Sequence, residues 1–367
     1  MAKDAVYVTR TRMPEFKTLC EQIQHIIDSG WITNDGECVR QLEKKLSAYL
    51  GCPHLLACNN GTTALMLALE CAGLRNKKVA VTAYTYVATL SAMLWIGCTP
   101  IFIDIDPDTL SMSPYELEQA FSNHPEIAGV VPVNIYGLAC DNAAISEICT
   151  RHGAKLIYDG AQAFGSSWQG RSLLDFGDYS ICSFHATKIF HTVEGGCVIA
   201  HSKEALDKLA LIRAFGHRGD THFTLGINSK MSEFHAAVGL NLLPQTDTEI
   251  IRRKKLHALY DALLANAPLT RPRLAQGLNW NYAYYPILLT NNSVLQNVIT
   301  ALAKENIHPR RYFFPALTKL PYVHLWCRPC PVAEDVTQRV LCLPLYSELS
   351  DQTISKIVTT INEQALG

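Results

Sequence analysis

The sequence has almost no excess of either charge. Its 367 residues carry 32 Lys and Arg against 33 Asp and Glu, a net charge of −1. That balance gives no electrostatic reason to expect nucleic acid or an acidic membrane as partner, although it leaves room for a local basic patch. The first residues, MAKDAVYVTRTRMPEF, are charged throughout and hold no apolar core, so they do not read as a signal peptide. The uncharged run at 79–103, VAVTAYTYVATLSAMLWIGCTPIFI, is long enough to span a bilayer, but Thr, Ser, Tyr, Gly and Pro interrupt it. A strand, a buried helix and a second strand explain it better. No internal repeat or low-complexity tract stands out. Four signatures are missing as well: G-x-G-x-x-G opening a βαβ unit, G-x-x-x-x-G-K-[ST], H-E-x-x-H and G-x-S-x-G. Their absence weakens dinucleotide oxidoreductase, nucleoside triphosphatase, zincin and serine hydrolase readings.

Cysteine, in contrast, is plentiful, with 13 residues scattered along the chain. Cys58, Cys71, Cys98 and Cys182 lie inside apolar runs, as reduced, buried thiols of a cytoplasmic protein would. The one close pair is Cys327-Arg-Pro-Cys330, and a lone C-x-x-C without a second ligand pair is weak evidence for zinc, so no metal site is expected.

What is present is alternation. Residues 21–50 read as helical, with Leu42, Leu46 and Leu50 four apart and Gly51 as a stop. Apolar strands are expected at 55–58, 79–83, 100–104, 128–133, 155–158, 179–183 and 196–200. Helices are expected at 62–72, 86–96, 114–121 and 142–152. This is the pattern of an α/β fold with a mostly parallel sheet covered on both faces, whose active site lies at the carboxyl ends of the strands. After residue 250 the chain turns to a basic helix and Pro-, Tyr- and Trp-rich segments. The expected division is a large α/β domain at 1–250 and a smaller α+β domain at 251–367.

Three strand ends carry chemistry. At 59–63, NNGTT opens a helix, where free N–H groups and the helix dipole favour phosphate; Asn60 or Thr62 as a plain N-cap is the competing reading. At 155–162, KLIYDGAQ ends an apolar strand on Asp159. A carboxylate there needs a partner, either a protonated ring nitrogen or the N–H groups of the next turn. At 179–188, YSICSFHATK delivers Lys188 from an apolar strand, and a partly buried lysine with a lowered pKa suits Schiff-base chemistry, an ordinary salt-bridged lysine being the alternative. A phosphate cradle, an acid for a ring nitrogen and a reactive lysine at strand ends of one α/β domain are what pyridoxal phosphate catalysis requires.

Ordered segments along the chain bear this out as a resemblance. They are WITNDGECVRQLEKKLSAYLG at 31–51, NNGTTAL at 59–65, AYTYVATLSA at 83–92, YDGAQAFG at 158–165, SFHATKIFHTVEGG at 183–196, GINSKMSEFHAAVG at 226–239, RRYFFP at 310–315 and RVLCLPLY at 339–346. Together they resemble the sugar aminotransferases of the DegT/StrS type, which have the fold-type I architecture of aspartate aminotransferase. The resemblance implies pyridoxal 5′-phosphate (PLP/PMP) as cofactor. By position, Lys188 matches the lysine that holds its aldehyde and Asp159 the partner of the pyridinium nitrogen. Gln162 matches the residue near the phenolic oxygen, and Gly61, Thr62 and Ser183 match phosphate-binding groups. Tyr86 matches the aromatic that stacks on the ring. Asn228 matches an asparagine reaching the phosphate of the neighbouring subunit, which implies a homodimer with shared active sites. Relatives with histidine in place of the lysine are dehydratases; Lys188 implies transamination.

The form SFHATK resembles the branch that aminates C4 of 4-keto-6-deoxy hexoses. The expected substrates are L-glutamate and dTDP-4-keto-6-deoxyglucose, with C3 amination, a galacto product or a UDP-sugar as alternatives. Trp31, Thr33 and Asn34 stand where relatives contact the nucleotide sugar. Arg310, Arg311 and Tyr312 form a basic aromatic patch suited to a diphosphate or a carboxylate, or else a surface basic pair. His185 either faces the sugar and cofactor or packs structurally, and His191 is a weaker candidate for the same role. The double glycine of EGG is expected to supply unusual backbone angles for a tight return into the sheet. The readings of another class are a non-catalytic PLP-binding regulator on the same fold, and a metal- or nucleotide-binding α/β protein.

Overall fold

The computed structural model describes residues 5–323 and 328–366. Cys327 of the C-x-x-C pair lies outside the described residues. Among those described, no group of three or more His, Cys, Asp or Glu side chains is placed to hold a metal ion.

Seven strands form the central sheet: β1 (His54–Cys58), β2 (Lys78–Thr82), β3 (Thr99–Ile103), β4 (Ile127–Val131), β5 (Lys155–Asp159), β6 (Tyr179–Ser183) and β7 (Gly196–Ala200). Their order is β1-β7-β6-β5-β4-β2-β3. β7 pairs antiparallel with both β1 and β6, and every other pairing is parallel. The strands read as unbroken apolar runs because helices cover both faces. Leu65, Leu69, Val81 and Phe102 are buried in one cluster; Ile103, Leu117, Ile145 and Leu156 are buried in another.

The helical segment expected over 21–50 is two helices, α1 (Phe16–Ser29) and α2 (Glu37–Leu50). Gly30 at φ 68° ends the first, and Asn34 and Asp35 follow in the same left-handed region, so the backbone cannot continue as one helix. The N-terminus of α2 has no side-chain cap of its own. Glu233, at the start of α8 (Glu233–Leu242), supplies it: its carboxylate accepts from Cys38 N at 2.7 Å and Val39 N at 3.1 Å. The carboxylate occupies the space beside Gly36, where any Cβ would fall on it.

The expected helices appear as α3 (Gly61–Cys71), α4 (Val87–Trp95), α5 (Pro114–Asn123) and α6 (Asn142–His152). α7 (Lys203–Arg213) follows β7, and α9 (Thr246–Leu263) leads into the last third of the chain. There, β8 (Leu269–Thr270), β9 (Tyr285–Leu289) and β10 (Val340–Leu343) make an antiparallel sheet. α10 (Asn292–Lys304) and α12 (Asp351–Leu366) pack on it around Leu295, Val298, Ile354 and Ile357; α11 (Pro331–Arg339) precedes β10. The N-terminal pair Val6–Tyr7 joins this region by pairing with Ile307–His308. No described helix is long and apolar enough to cross a membrane, and the 79–103 run is β2, α4 and β3.

Candidate active site

The carboxyl ends of β1, β5 and β6 converge on one cavity of about 290 Å³. Gly61, Thr62, Tyr86, Asp159, Gln162, Ser183, His185, Lys188, Arg310 and Tyr312 all line it. Seven expected cofactor residues are thus brought together by the open ends of a parallel sheet.

Asn60 caps α3, its side chain accepting from Thr63 N at 2.8 Å, so the cap reading of NNGTT holds for Asn60. Gly61 is still required for another reason. A Cβ there would lie 2.9 Å from Ser183 Cβ, so glycine lets the α3 N-terminus and the end of β6 close on one another. That close approach puts a helix N-terminus and a hydroxyl side by side, the donor set an anion such as phosphate takes. The double glycine works the same way. Neither Gly195 nor Gly196 has a left-handed φ, contrary to the expectation for EGG. A Cβ at Gly195 would strike Thr192 Oγ1, and one at Gly196 would lie 2.7 Å from Asn60 C, so both are needed for space. The left-handed residue in this stretch is Val193, at φ 69°.

Asp159 is buried at the end of β5. Its Oδ2 accepts from Thr89 Oγ1 at 2.7 Å and its Oδ1 from Ala161 N at 3.0 Å. Burial raises its pKa above the usual carboxylate value, and these two bonds and the charge of Lys188 oppose the rise. Lys188 lies in the same low-dielectric pocket. Burial lowers its pKa, with Asp159 pulling the other way. An acid whose pKa burial raises and an amine whose pKa burial lowers therefore face one space. Gln162 is held by its Oε1 accepting from Tyr136 N and its main-chain carbonyl accepting from Asn281 Nδ2. Tyr86 sits at the mouth, half exposed, with its ring 5.6 Å from that of Phe313.

His185 is exposed at the rim, its Nδ1 bonded to Thr187 Oγ1 at 2.8 Å and its Nε2 3.6 Å from Glu194 Oε1. His191 is structural: it is buried, with Nε2 donating to Arg12 O at 2.7 Å and Nδ1 accepting from Val193 N at 3.2 Å. Arg310 reaches the pocket, whereas Arg311 turns away to donate to Thr337 O at 2.8 Å and lies over Phe314. Trp31, Thr33 and Asn34 are exposed on the α1–α2 loop, outside this cavity, with Trp31 Nε1 donating to Asn34 O. Asn228 is also exposed and outside it, accepting from Lys230 Nζ at 2.6 Å.

Thr89, Tyr284 and Phe313 line the cavity without having been singled out from sequence. Thr89 was legible: it is one turn into the helix opened by YTYVAT, facing the same way as Tyr86. Phe313 follows Tyr312 directly in RRYFFP, whereas Tyr284 comes from a separate segment to which no local spacing points.

The model of the DegT/DnrJ/EryC1/StrS aminotransferase family matches residues 15–362. The chain belongs to that family. Among curated relatives, it is 35% identical over 364 residues to a dTDP-4-amino-4,6-dideoxy-D-glucose transaminase of Shigella dysenteriae, covering 98% of both chains. It is 29% identical to a GDP-perosamine synthase of Caulobacter vibrioides, covering 94% of both. Among solved structures of the aminotransferase fold, DesI in the presence of its TDP-sugar product superposes with a TM-score of 0.93 at 30% identity, over 99% of this chain and 93% of that one.

Proposed function

We propose that this chain is a pyridoxal phosphate-dependent aminotransferase that moves the amine of L-glutamate to C4 of dTDP-4-keto-6-deoxy-D-glucose, giving dTDP-4-amino-4,6-dideoxy-D-glucose. One observation carries the cofactor assignment: buried Asp159 and half-buried Lys188 face a single cavity beside the closed Gly61–Ser183 junction. The full-length similarity to the dTDP-sugar transaminase and to DesI supports the sugar.

The residues fit the cofactor. A phosphate would be met by the α3 N-terminus at Gly61 and Thr62 and by the Ser183 hydroxyl. The ring would lie under Tyr86, its nitrogen against Asp159, its phenolic oxygen near Gln162 and its aldehyde at Lys188. When bound, PLP supplies an electron sink and carries the amine between substrates. Asp159 would keep a proton on the ring nitrogen, and Thr89 Oγ1, donating to Asp159 Oδ2, aims that carboxylate. Lys188 Nζ, its proton affinity reduced by burial, takes a proton from the donor and returns one to the sugar carbon. Arg310 at the cavity wall is suited to a carboxylate or a diphosphate.

We read the protein as a homodimer, in which exposed Asn228 of one copy completes the pocket of the other. The exposed loop of Trp31, Thr33 and Asn34 is read as a contact for the nucleotide sugar. We divide the chain into a large domain, 1–250, and a small one, 251–367, with α9 running across the boundary. The fold and its chemistry suit a cytoplasmic biosynthetic enzyme, with O-antigen and other glycan assembly as the expected destination of the product.

The test is incubation with glutamate and a panel of dTDP-, UDP- and GDP-linked 3-keto and 4-keto sugars, with NMR of the products. An equatorial C4 amine on the dTDP sugar is expected; amination at C3, or of another nucleotide's sugar alone, overturns the substrate assignment. Lys188→Ala is expected to abolish amino transfer and the visible absorbance of the bound cofactor. Biological activity retained in that variant would instead support a regulator.

A further inference from the structure

A second acid, Glu194, stands at the mouth of the Lys188 cavity and lines it beside His185. The two residues sit on chain segments that are fastened together. Phe184 N donates to Gly195 O at 2.8 Å, and Thr192 N donates to Phe184 O at 2.9 Å. Thr192 Oγ1 fills the space where a Cβ at Gly195 would fall and donates to Glu194 O at 2.8 Å. Both side chains are exposed, yet their backbones are fixed, so their spacing is set by the frame.

The tautomer of His185 follows from its contacts. Thr187 N lies 3.3 Å from Nδ1 and can only donate, so Nδ1 accepts and the proton of the neutral ring sits on Nε2. Nε2 is 3.6 Å from Glu194 Oε1, too far for a hydrogen bond. A donor and an acceptor therefore stand side by side at the mouth, and neither satisfies the other. Among the described residues, no lysine or arginine forms an ion pair with Glu194.

A hydroxyl group fits between them, since it can accept from Nε2–H and donate to Oε1 at once. An anion does not fit. The Glu194 carboxylate repels a diphosphate and the two carboxylates of glutamate, whereas Arg310, also on the cavity wall, attracts them. Lys188 N donates to His185 O at 2.8 Å, so the pair lies one turn from the lysine at which the sugar carbon reacts. We propose that His185 and Glu194 together bind the ring hydroxyl next to the carbonyl that receives the amine. This rests on the keto-sugar reading given above and adds the group by which the sugar is recognised. In a 4-keto-6-deoxy hexose, C5 carries the methyl group, so the hydroxyl in question is the one at C3.

The test compares dTDP-4-keto-6-deoxyglucose with its 3-deoxy analogue, using the full-length protein loaded with PLP. Wild type is expected to lose about tenfold or more in kcat/KM on the analogue, the scale of one charge-assisted hydrogen bond. Glu194→Leu and His185→Phe should show that loss on the parent sugar and stay within about twofold of wild type on the analogue, because the contact is already gone there. Glu194→Gln, which keeps an acceptor oxygen, should lose less than Glu194→Leu. Turnover of the analogue guards against variants that merely misfold. Equal losses on both sugars would mean a structural role, and no loss on the parent would mean no contact; either result overturns the proposal. Release of 2-oxoglutarate from glutamate by wild type tests the transaminase reading separately. If that release occurs but neither sugar is aminated, the substrate reading falls and this proposal falls with it.

Discussion

Thr89 Oγ1 donates to Asp159 Oδ2 at 2.7 Å, both groups being buried, so a helix opened at Tyr86 fixes the acid at the end of β5. A hydrogen bond to a charged group contributes on the order of 1.5–3 kcal/mol. Thr89→Val should therefore lower kcat by about tenfold or more, with little change in KM for the sugar, while Thr89→Ser stays near wild type. Steady-state kinetics on the two variants decide it, and equal rates would remove Thr89 from the site.

The Gly61–Ser183 contact should tolerate no added carbon. Gly61→Ala puts a Cβ 2.9 Å from Ser183 Cβ and forces the α3 N-terminus away from β6. Overpacking of this kind costs about 1–3 kcal/mol, and PLP affinity should fall at least tenfold. Adding Ser183→Gly should recover most of the melting temperature but not the affinity, since the hydroxyl is gone. Cofactor titration and thermal melts separate the two effects.

His191 gives the fold an acid limb. Burial lowers its pKa below the usual 6.5, and its Nδ1 must stay unprotonated to accept from Val193 N. A group with a depressed folded pKa contributes stability that is present above its unfolded pKa and is lost as pH falls through the folded one. Wild type should accordingly lose stability relative to His191→Gln as pH drops below about 6.5, by at most about 1.4 kcal/mol per pH unit. Denaturant melts at several pH values would show it; parallel curves for the two proteins would contradict it.

Val193 holds a β-branched side chain at φ 69° on a half-exposed turn. Left-handed geometry costs a non-glycine residue about 1–2 kcal/mol. Val193→Gly, which keeps the N–H that His191 uses, is expected to raise stability by about 1 kcal/mol. A lower melting temperature would mean that the isopropyl group is packed against something, as a dimer partner would provide.

The parts of the site that lie along one stretch of chain were readable in the sequence. NNGTT, YDGAQ and SFHATK each join a strand end to its reactive residue, so a parallel sheet brings Gly61, Asp159, Ser183 and Lys188 together once the strands are placed. The roles of the glycines were not readable. Gly61, Gly195 and Gly196 are set by what approaches them from elsewhere, Ser183, Thr192 and Asn60, and for Gly195 and Gly196 the sequence suggested backbone angles instead. The break at residues 30–36 was hidden for a similar reason: the cap of α2 comes from Glu233, far along the chain. Arg310 and Arg311 were indistinguishable as neighbours until the backbone turned one inward and the other toward Thr337.

The fit of Glu233 beside Gly36 also bears on how this protein can vary. Any side chain at position 36 must displace the carboxylate, and a shortened residue at 233 leaves two amides of α2 bare. Neither position is free to drift alone. A change at one becomes acceptable only after a matching change at the other, so the loop bearing Trp31, Thr33 and Asn34 is tied to the history of α8.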